Sequence, residues 1–170
     1  MMVALVIAVL SVSALPDGSL IFSEHSSVVV EKATNSPITH VAIAFNESGT
    51  TYVYQATLPR VKKTTLDEYF DHIKKLKRRG WIRIKVWVAQ PNKPYTKEEI
   101  AAMKSYADSQ LGEKYSVKSY TGKQSNGIHC SEYVTKSLTF SNRYTASSPG
   151  SVSPKSLWKL PGYNWRLKID

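Results

Sequence analysis

The sequence is poor in the residues that cross-link chains or bind metals. Its 170 residues include one cysteine and four histidines. A single thiol cannot form an intramolecular disulfide, and one cysteine with four scattered histidines matches no zinc-ligand spacing, so we expect no metal or other cofactor. Glycine and proline are also few, with 8 of each, which excludes collagen-like and low-complexity chains. The remaining composition, 42% hydrophobic and 21% charged, is typical of a globular domain.

Acidic residues are scarce relative to basic ones. The chain has 13 aspartates and glutamates against 23 lysines and arginines, for a formal charge of +10. This excess indicates an anionic partner, such as acidic lipid headgroups or cell-wall polymers. We expect no binding to nucleic acid, because no recognition motif accompanies the charge. The basic run at residues 74–79 either binds such a surface or is a solvent-exposed helix face, as charge runs usually are.

The N-terminus has no charged side chain in its first 15 residues. The apolar stretch is too short for a comfortable membrane span, and Val12-Ser13-Ala14 fits the site that a signal peptidase reads. We therefore predict a signal peptide at residues 1–14, a single domain at residues 15–170, and a secreted or periplasmic protein. Because the usual Lys or Arg is missing at the start, an uncleaved anchor or a first core strand remain alternatives.

Local patterns predict a mixture of strands and helices. Two apolar runs, residues 38–45 and 51–56, flank a Gly-containing loop and predict a β-hairpin. Capping boxes at Thr65 and Thr96 predict helices that end before Gly80 and Gly112. Residues 81–88 alternate between apolar and basic and predict a half-exposed strand, while residues 28–33 favour a short helix over a strand.

The lone cysteine, Cys130, lies where a loop turns into a helix. A helix N-terminus lowers a thiol's pKa by offering free N–H groups and the positive end of the helix dipole. An unpaired cysteine in an exported protein is therefore a candidate nucleophile. The alternative is a buried, inert cysteine, since free cysteine is among the most buried residue types.

Four histidines compete to be the base that a thiol nucleophile needs. His129 adjoins the cysteine, but neighbours in sequence usually point apart. His72 lies on the polar side of a predicted helix and His25 in a loop. His40 opens a strand, which gives it a rigid mount at a sheet end, although a histidine in that position is more often structural.

The predicted hairpin brings Gln55 alongside His40. Its side-chain carbonyl can accept a hydrogen bond from the imidazole, as the third member of a thiol–imidazole–amide triad. The alternative is a polar residue on the solvent face of a strand.

Three stretches in this order resemble a known family: residues 18–22 (GSLIF), 36–43 (SPITHVAI) and 129–134 (HCSEYV). Residues 52–56 (YVYQA), 65–69 (TLDEY) and 111–115 (LGEKY) agree further. Together they resemble the circularly permuted NlpC-type cysteine hydrolases of papain-like fold, in the YiiX/YebB-like branch. The order of histidine before cysteine marks the permuted branch.

The resemblance implies an α+β fold in which a small antiparallel sheet packs against helices, one of them bearing the thiol. It also implies that Cys130 is the nucleophile and His40 the general base. Gln55 fills the third position, where this branch often has Glu; an amide orients the imidazole without stabilising its charge. Tyr115 matches a tyrosine near the cysteine in relatives and is the expected substrate-binding residue, although Ser116 follows it where Asp is usual.

We therefore expect a cysteine hydrolase of amidase or peptidase type. Its substrate would be cell-wall peptide or an acyl-lipid amide or ester, with acyl transfer as a further outcome. The alternative is a weakly active or inactive binding module of the same fold at an anionic surface of the cell envelope, for which Gln55 and Ser116 are the best support.

Overall fold

The computed structural model describes residues 14–121, 125–163 and 165–169. The predicted signal peptide, residues 1–14, therefore lies outside the described residues except for its last position. Within the described ranges, no helix is long and apolar enough to span a bilayer.

The described residues form a six-stranded antiparallel sheet with the spatial order β4-β3-β2-β1-β5-β6. The predicted hairpin is present, and its turn at Ser48 and Gly49 has φ values of 49° and 83°, a left-handed conformation that glycine adopts without strain. The strands are β1 (Ser19–Glu24), β2 (Ile38–Glu47), β3 (Thr50–Ala56), β4 (Val61–Thr65), β5 (Lys85–Gln90) and β6 (Trp165–Ile169).

Five α-helices flank the sheet in the described residues. Both predicted capping boxes, at Thr65 and Thr96, are formed, and the short helix expected after Ser27 is present. The helices are α1 (Val28–Thr34), α2 (Leu66–Arg78), α3 (Lys97–Ser109), α4 (Cys130–Thr139) and α5 (Pro154–Trp158). The fold is thus α+β, with the cysteine-bearing helix packed on the sheet, as predicted.

Each face of the sheet has its own apolar core. Tyr69 and Ile73 of α2 pack with Ala42 on one face, while α3, α4 and α5 pack on the other with Val41 and Ile43. Since side chains alternate along a strand, His40 falls on the face that α2 covers and Val41 on the face that α4 covers.

The predicted strand over residues 81–88 is only half correct. β5 begins at Lys85, and the preceding residues form a turn in which the N–H of Ile84 donates to the carbonyl of Trp81 at 3.2 Å. Ile82 is 80% exposed instead of packed in the core. Alternation alone misses this because the register of β5 is set by its pairing with β1, which extends from Glu24–Lys85 to Leu20–Ala89.

Candidate active site

The site lies where β2 and β3 separate. Their ladder runs from Glu47–Thr50 to Ile43–Tyr54, whereas β3 continues to Ala56 in pairing with β4. The first residues of β2, including His40, therefore lie beyond the end of the β2–β3 ladder. On the side of β2 that faces β3, the backbone at this end is not paired with a strand and can interact with other parts of the protein.

Cys130 is the first residue of α4, as the sequence predicts. The helix is capped by the preceding side chain, because Nδ1 of His129 accepts the N–H of Glu132 at 3.1 Å. The other ring nitrogen, Nε2, donates to the carbonyl of Gly150 at 2.9 Å. Both nitrogens of His129 are thus used to hold the helix start, which removes this histidine from the competition for the base.

The thiol of Cys130 is completely buried. Burial raises its pKa, against the opposing hydrogen bonds from the backbone N–H groups of Val41, Ser131 and Cys130 and from the hydroxyl of Tyr120. The expectation of a lowered pKa is therefore wrong. The helix-start N–H groups act in the expected direction, but the loss of water around the thiol outweighs them.

His40 and Gln55 are brought together. Nε2 of the half-buried ring lies 2.9 Å from Oε1 of Gln55, whose side chain is buried. An amide oxygen can only accept, so Nε2 carries the proton and Nδ1 is left to take one. Burial lowers the pKa of His40 to about 4, the Gln55 hydrogen bond acts in the opposite direction, and the charge of Lys62 lowers it further. The ring is therefore neutral at neutral pH.

The thiol of Cys130 contacts the main chain of β2 next to His40. Cys130 accepts a hydrogen bond from the N–H of Val41, the residue directly after His40. Helix α4 thus holds the thiol at the main chain of the residue that follows His40. The hydrogen bond to Gln55 leaves Nδ1, the ring nitrogen nearer to the main chain, as the proton acceptor.

A cavity of about 430 Å³ opens beside His40 and Gln55. Tyr115 also lines it, in the place that the sequence analysis assigned to a substrate-binding residue, whereas Cys130 is not among its lining residues. Its walls come from α1, α2, the ends of β1 to β3 and the loop before α4, and include Ser26, Val29, Thr39, Leu58, Tyr69, His72, Ile73, Leu76 and Val117.

Tyrosines surround the buried thiol. Tyr115 is half-buried, and burial together with the charge of Cys130 raises its pKa. Tyr69 is buried, and burial raises its pKa to about 12, with a further contribution from Cys130. Tyr120, which the sequence analysis missed, stacks on His129 with a ring-centroid distance of 3.9 Å and hydrogen-bonds to Cys130. The available signal was an aromatic residue in the polar loop before the thiol.

Neither remaining histidine takes part in the His40–Gln55 hydrogen bond, and of the two only His72 lines the same cavity. His25 faces Glu31, with Nδ1 3.1 Å from its carboxylate. His72 is exposed on α2, and burial and nearby cations lower its pKa. In the described part of the chain, no three histidine, cysteine, aspartate or glutamate side chains converge as a metal site would require.

Comparison with known proteins agrees with this architecture. The family described as "permuted papain-like amidase enzyme, YaeF/YiiX, C92 family" matches residues 14–159. Among solved structures, the chain is similar to yiiX from Escherichia coli O157:H7, described as a metalloprotein, with 20% identity, a TM-score of 0.65, and coverage of 92% of this chain and 97% of that chain. No curated protein sequence matches significantly. Since the family match spans most of the sequence and the solved structure shares the fold, this chain belongs to the YaeF/YiiX, C92 family of permuted papain-like amidases.

Proposed function

We propose that the protein is a thiol-dependent hydrolase in which Cys130 is the nucleophile, His40 the general base and Gln55 the group that orients the imidazole. The observation that carries the proposal is the 2.9 Å hydrogen bond between His40 and Gln55. It fixes the tautomer that leaves Nδ1 free to accept the thiol proton, as a catalytic triad requires.

The reaction follows from these roles. The sulfur of Cys130 bonds to the substrate carbonyl carbon while its proton passes to Nδ1 of His40. The backbone N–H of Cys130 stabilises the developing oxyanion. The bond to the leaving amine or alcohol then breaks as His40 returns the proton to it. Water attacks the resulting thioester, gives its proton to His40 and releases the acid, and the thiol is restored.

The resting pair is neutral in this proposal. Burial raises the pKa of Cys130 and lowers that of His40 to about 4, so neither thiolate nor imidazolium is favoured before the substrate arrives. An amide partner fits such a pair, because Gln55 orients the ring without adding the charge that would stabilise imidazolium. Proton transfer then accompanies attack, as in general-base catalysis.

The cavity favours an acyl chain over a polar peptide as the group bound beside His40 and Gln55. Side chains of Val29, Leu58, Ile73, Leu76 and Val117 contribute to its walls. Burial of an acyl chain against such a surface is worth about 0.8 kcal/mol for each CH₂ group. A cell-wall peptide, with charged and hydrogen-bonding groups at each residue, gains less from these walls.

The surroundings of the cavity suit a lipid surface as the source of the substrate. Val29 and Leu58, which line the cavity, are 62% and 75% exposed, and Ile82 is 80% exposed in the turn after α2. Basic residues occupy the C-terminal part of α2, at residues 74–79. Exposed apolar side chains beside cations are typical of proteins that bind anionic membranes. With a cleaved signal peptide, the protein would act outside the cytoplasm, secreted or in the periplasm.

The test uses the fact that the chain has a single cysteine. We expect p-nitrophenyl decanoate to give a covalent decanoyl adduct in the intact mass, removable by hydroxylamine as a thioester is, and turnover of decanoyl amides. The Cys130→Ala variant should show neither. An adduct that persists in Cys130→Ala, or a wild-type protein with no adduct and no turnover, would reject the proposal.

A binding module of the same fold is the second candidate. The observation that favours it is the burial of the thiol, which is 0% exposed and does not line the cavity. Isothermal titration with decanoyl amides separates the two functions. Binding by the wild type without turnover or adduct would support the module, whereas release of decanoate would support the hydrolase.

A further inference from the structure

The large apolar side chains that remain exposed are concentrated beside the cavity. In the described part of the chain eight such side chains are exposed, and five of them belong to three short segments. These five, which we call the apolar rim, are Val28 and Val29 of α1, Leu58 in the loop before β4, and Trp81 and Ile82 in the turn after α2. Single exposed apolar residues are ordinary, whereas a cluster of them marks a surface that contacts something other than water.

The rim surrounds the mouth of the cavity. Val29 and Leu58 line the cavity although they are 62% and 75% exposed, so they stand where it opens to solvent. Leu76 also lines the cavity, and its carbonyl accepts the N–H of Trp81 at 3.2 Å. The turn after α2 therefore begins at the cavity wall.

The turn after α2 also reaches the α1 side of the mouth. A guanidinium nitrogen of Arg83 lies 3.3 Å from Nδ1 of His25, and the same ring nitrogen lies 3.1 Å from the carboxylate of Glu31 in α1. Ile84 anchors the turn, because its side chain is buried and its N–H donates to the carbonyl of Trp81 at 3.2 Å. The three segments thus form one surface.

The fold does not require the apolar side chains of this surface. Val28 is 54% exposed and Ile82 is 80% exposed, and neither belongs to the apolar core on either face of the sheet. A polar residue at either position would leave the packing of the core unchanged. Their apolar character therefore points to a partner rather than to stability.

Basic residues border the rim. Residues 71–83 include six lysines and arginines and one aspartate, and Asp71 is paired with Lys74 at 3.1 Å. Arg78, Arg79 and Arg83 are exposed on either side of the turn. Apolar side chains flanked by cations match an anionic bilayer, whose headgroups attract the cations while its acyl region accepts the apolar groups. A soluble anionic polymer would use the cations and leave the rim in water.

We propose that the protein docks on an anionic membrane through the apolar rim, with Arg78, Arg79 and Arg83 against the headgroups and the mouth of the cavity facing the bilayer. The inference rests on the proposed function, which it deepens by naming the surface that supplies the acyl substrate. An acyl chain then passes from the bilayer into the cavity without exposing its apolar surface to water.

The test measures sedimentation of the full chain with large unilamellar vesicles of phosphatidylglycerol or phosphatidylcholine, in a Cys130→Ala background so that no turnover alters the lipid. We expect partitioning onto the anionic vesicles to be at least about tenfold stronger. Ile82→Ser should weaken it about fivefold. Leu167→Ser is the matched control, because Leu167 is an exposed apolar residue on the edge strand β6. Unchanged binding in Ile82→Ser, or an equal loss in Leu167→Ser, would overturn the inference.

A pair of charge variants tests the contribution of the cations. Arg78→Gln combined with Arg79→Gln should weaken binding to phosphatidylglycerol about tenfold or more. Lys155→Gln combined with Lys159→Gln removes the same charge from α5, on the other face of the sheet, and should have little effect. Equal losses would mean that net charge alone drives binding. A loss in the arginine variant with none in Ile82→Ser would favour an anionic polymer, and either result would reject the membrane surface.

Trp81 provides a readout that a merely structural residue would not change. Phosphatidylglycerol with brominated acyl chains should quench the tryptophan fluorescence of the bound protein, because bromine quenches only an indole that enters the acyl region. Trp81→Phe should remove most of this quenching while the protein still sediments with the vesicles. Quenching that is the same in Trp81→Phe would show that the rim stays in water and would overturn the inference.

Hydrolysis separates this inference from the proposed function. Ile82 does not line the cavity, so Ile82→Ser in the chain that retains Cys130 should hydrolyse soluble N-decanoyl ethanolamine as the wild type does. Vesicle binding that needs the rim, without hydrolysis of any amide, would support the docking surface and reject the hydrolase. Hydrolysis of the soluble amide without vesicle binding would support the hydrolase and reject the docking surface.

Discussion

The two ends of the β2–β3 hairpin have opposite effects on the charge of a titratable side chain. At the turn end, Glu47 accepts from Tyr54 and Lys63 at 2.5 Å and lies 3.1 Å from Lys104. Burial acts to raise the pKa of Glu47, but the hydrogen bonds from Lys63, Tyr54 and Lys104 outweigh it and lower the pKa to about 2. The charged form is therefore stabilised there.

At the open end, the neutral form is stabilised instead. Among the described residues, the imidazole of His40 has one hydrogen bond, to Gln55, and burial lowers its pKa to about 4. The ladder between the strands has stopped there, and Oγ1 of Thr64 in the neighbouring β4 is buried without a hydrogen-bond partner in the described residues. The same two strands thus hold an ion-paired carboxylate at one end and a neutral imidazole at the other. Side chains whose charged form is disfavoured by burial are frequent at the functional sites of proteins.

The largest expected effect comes from removing the imidazole. Without a base, His40→Ala should lose about 100- to 10,000-fold in the rate of acyl-enzyme formation, with the midpoint of urea unfolding nearly unchanged. Stopped-flow acylation and urea titration measure the two. His72→Ala, in the same cavity but without the Gln55 bond, is the control. A large loss of stability with retained acylation would reverse the contrast between the two ends.

The turn end should respond in stability and not in rate. Glu47→Gln removes the charge that Lys63 and Lys104 surround, and we expect a loss of about 1–3 kcal/mol in the free energy of unfolding with kcat/KM unchanged. The exposed pair of Asp71 and Lys74 supplies the control, since Asp71→Asn should cost less than about 0.5 kcal/mol. Urea titration measures both. Equal losses of unfolding free energy would mean that the ion pairs of Glu47 stabilise the fold no more than an ordinary surface pair does.

The pH dependence of kcat/KM should show directly that the charged form of His40 is disfavoured. The pKa of His40 in the folded protein, about 4, lies below the ordinary histidine value of 6.5. Its neutral form is the base, so kcat/KM should hold as pH falls through 6.5 and decline only near pH 4. The unfolded chain takes up a proton at His40 near pH 6.5, whereas the folded protein does so only near pH 4. The contribution of neutral His40 to the free energy of unfolding is therefore fully present above pH 6.5 and is lost as the pH falls through about 4.

Gln55→Glu sharpens this prediction. A carboxylate beside the ring stabilises imidazolium, so the acid limb of kcat/KM should move up by about one pH unit or more. A pH–rate profile of the wild type whose acid limb already lies near pH 6.5 would contradict the lowered pKa of His40.

The smallest effect concerns two threonines, one at the turn end of β3 and one on the neighbouring β4. The hydroxyl of Thr51 donates to Asn46 at 2.7 Å, whereas that of Thr64 has no partner among the described residues. Thr64→Val should be neutral or stabilise by up to about 1 kcal/mol, while Thr51→Val should cost about 1 kcal/mol. Thermal unfolding of both variants tests the difference, and an equal cost would place an unseen partner at Thr64.

Sequence patterns predicted the elements that depend on near neighbours. Capping boxes fix where α2 and α3 begin, and the hairpin loop fixes the alignment that puts Gln55 beside His40. Cys130 at the start of α4 also follows from the local pattern. Residues 81–84 failed as a strand because pairing with β1, a distant segment, sets where β5 begins.

By itself, then, the sequence determined the order of the elements, the family, and which residues stand close together in the chain or across a tight turn. Only the tertiary structure decided that the thiol is buried with a raised pKa, that Tyr120 hydrogen-bonds to it, and that three separate segments expose the apolar rim beside the cavity. The physical reason is that capping and hairpin alignment act over a few residues, whereas desolvation depends on which distant segments exclude water from a side chain.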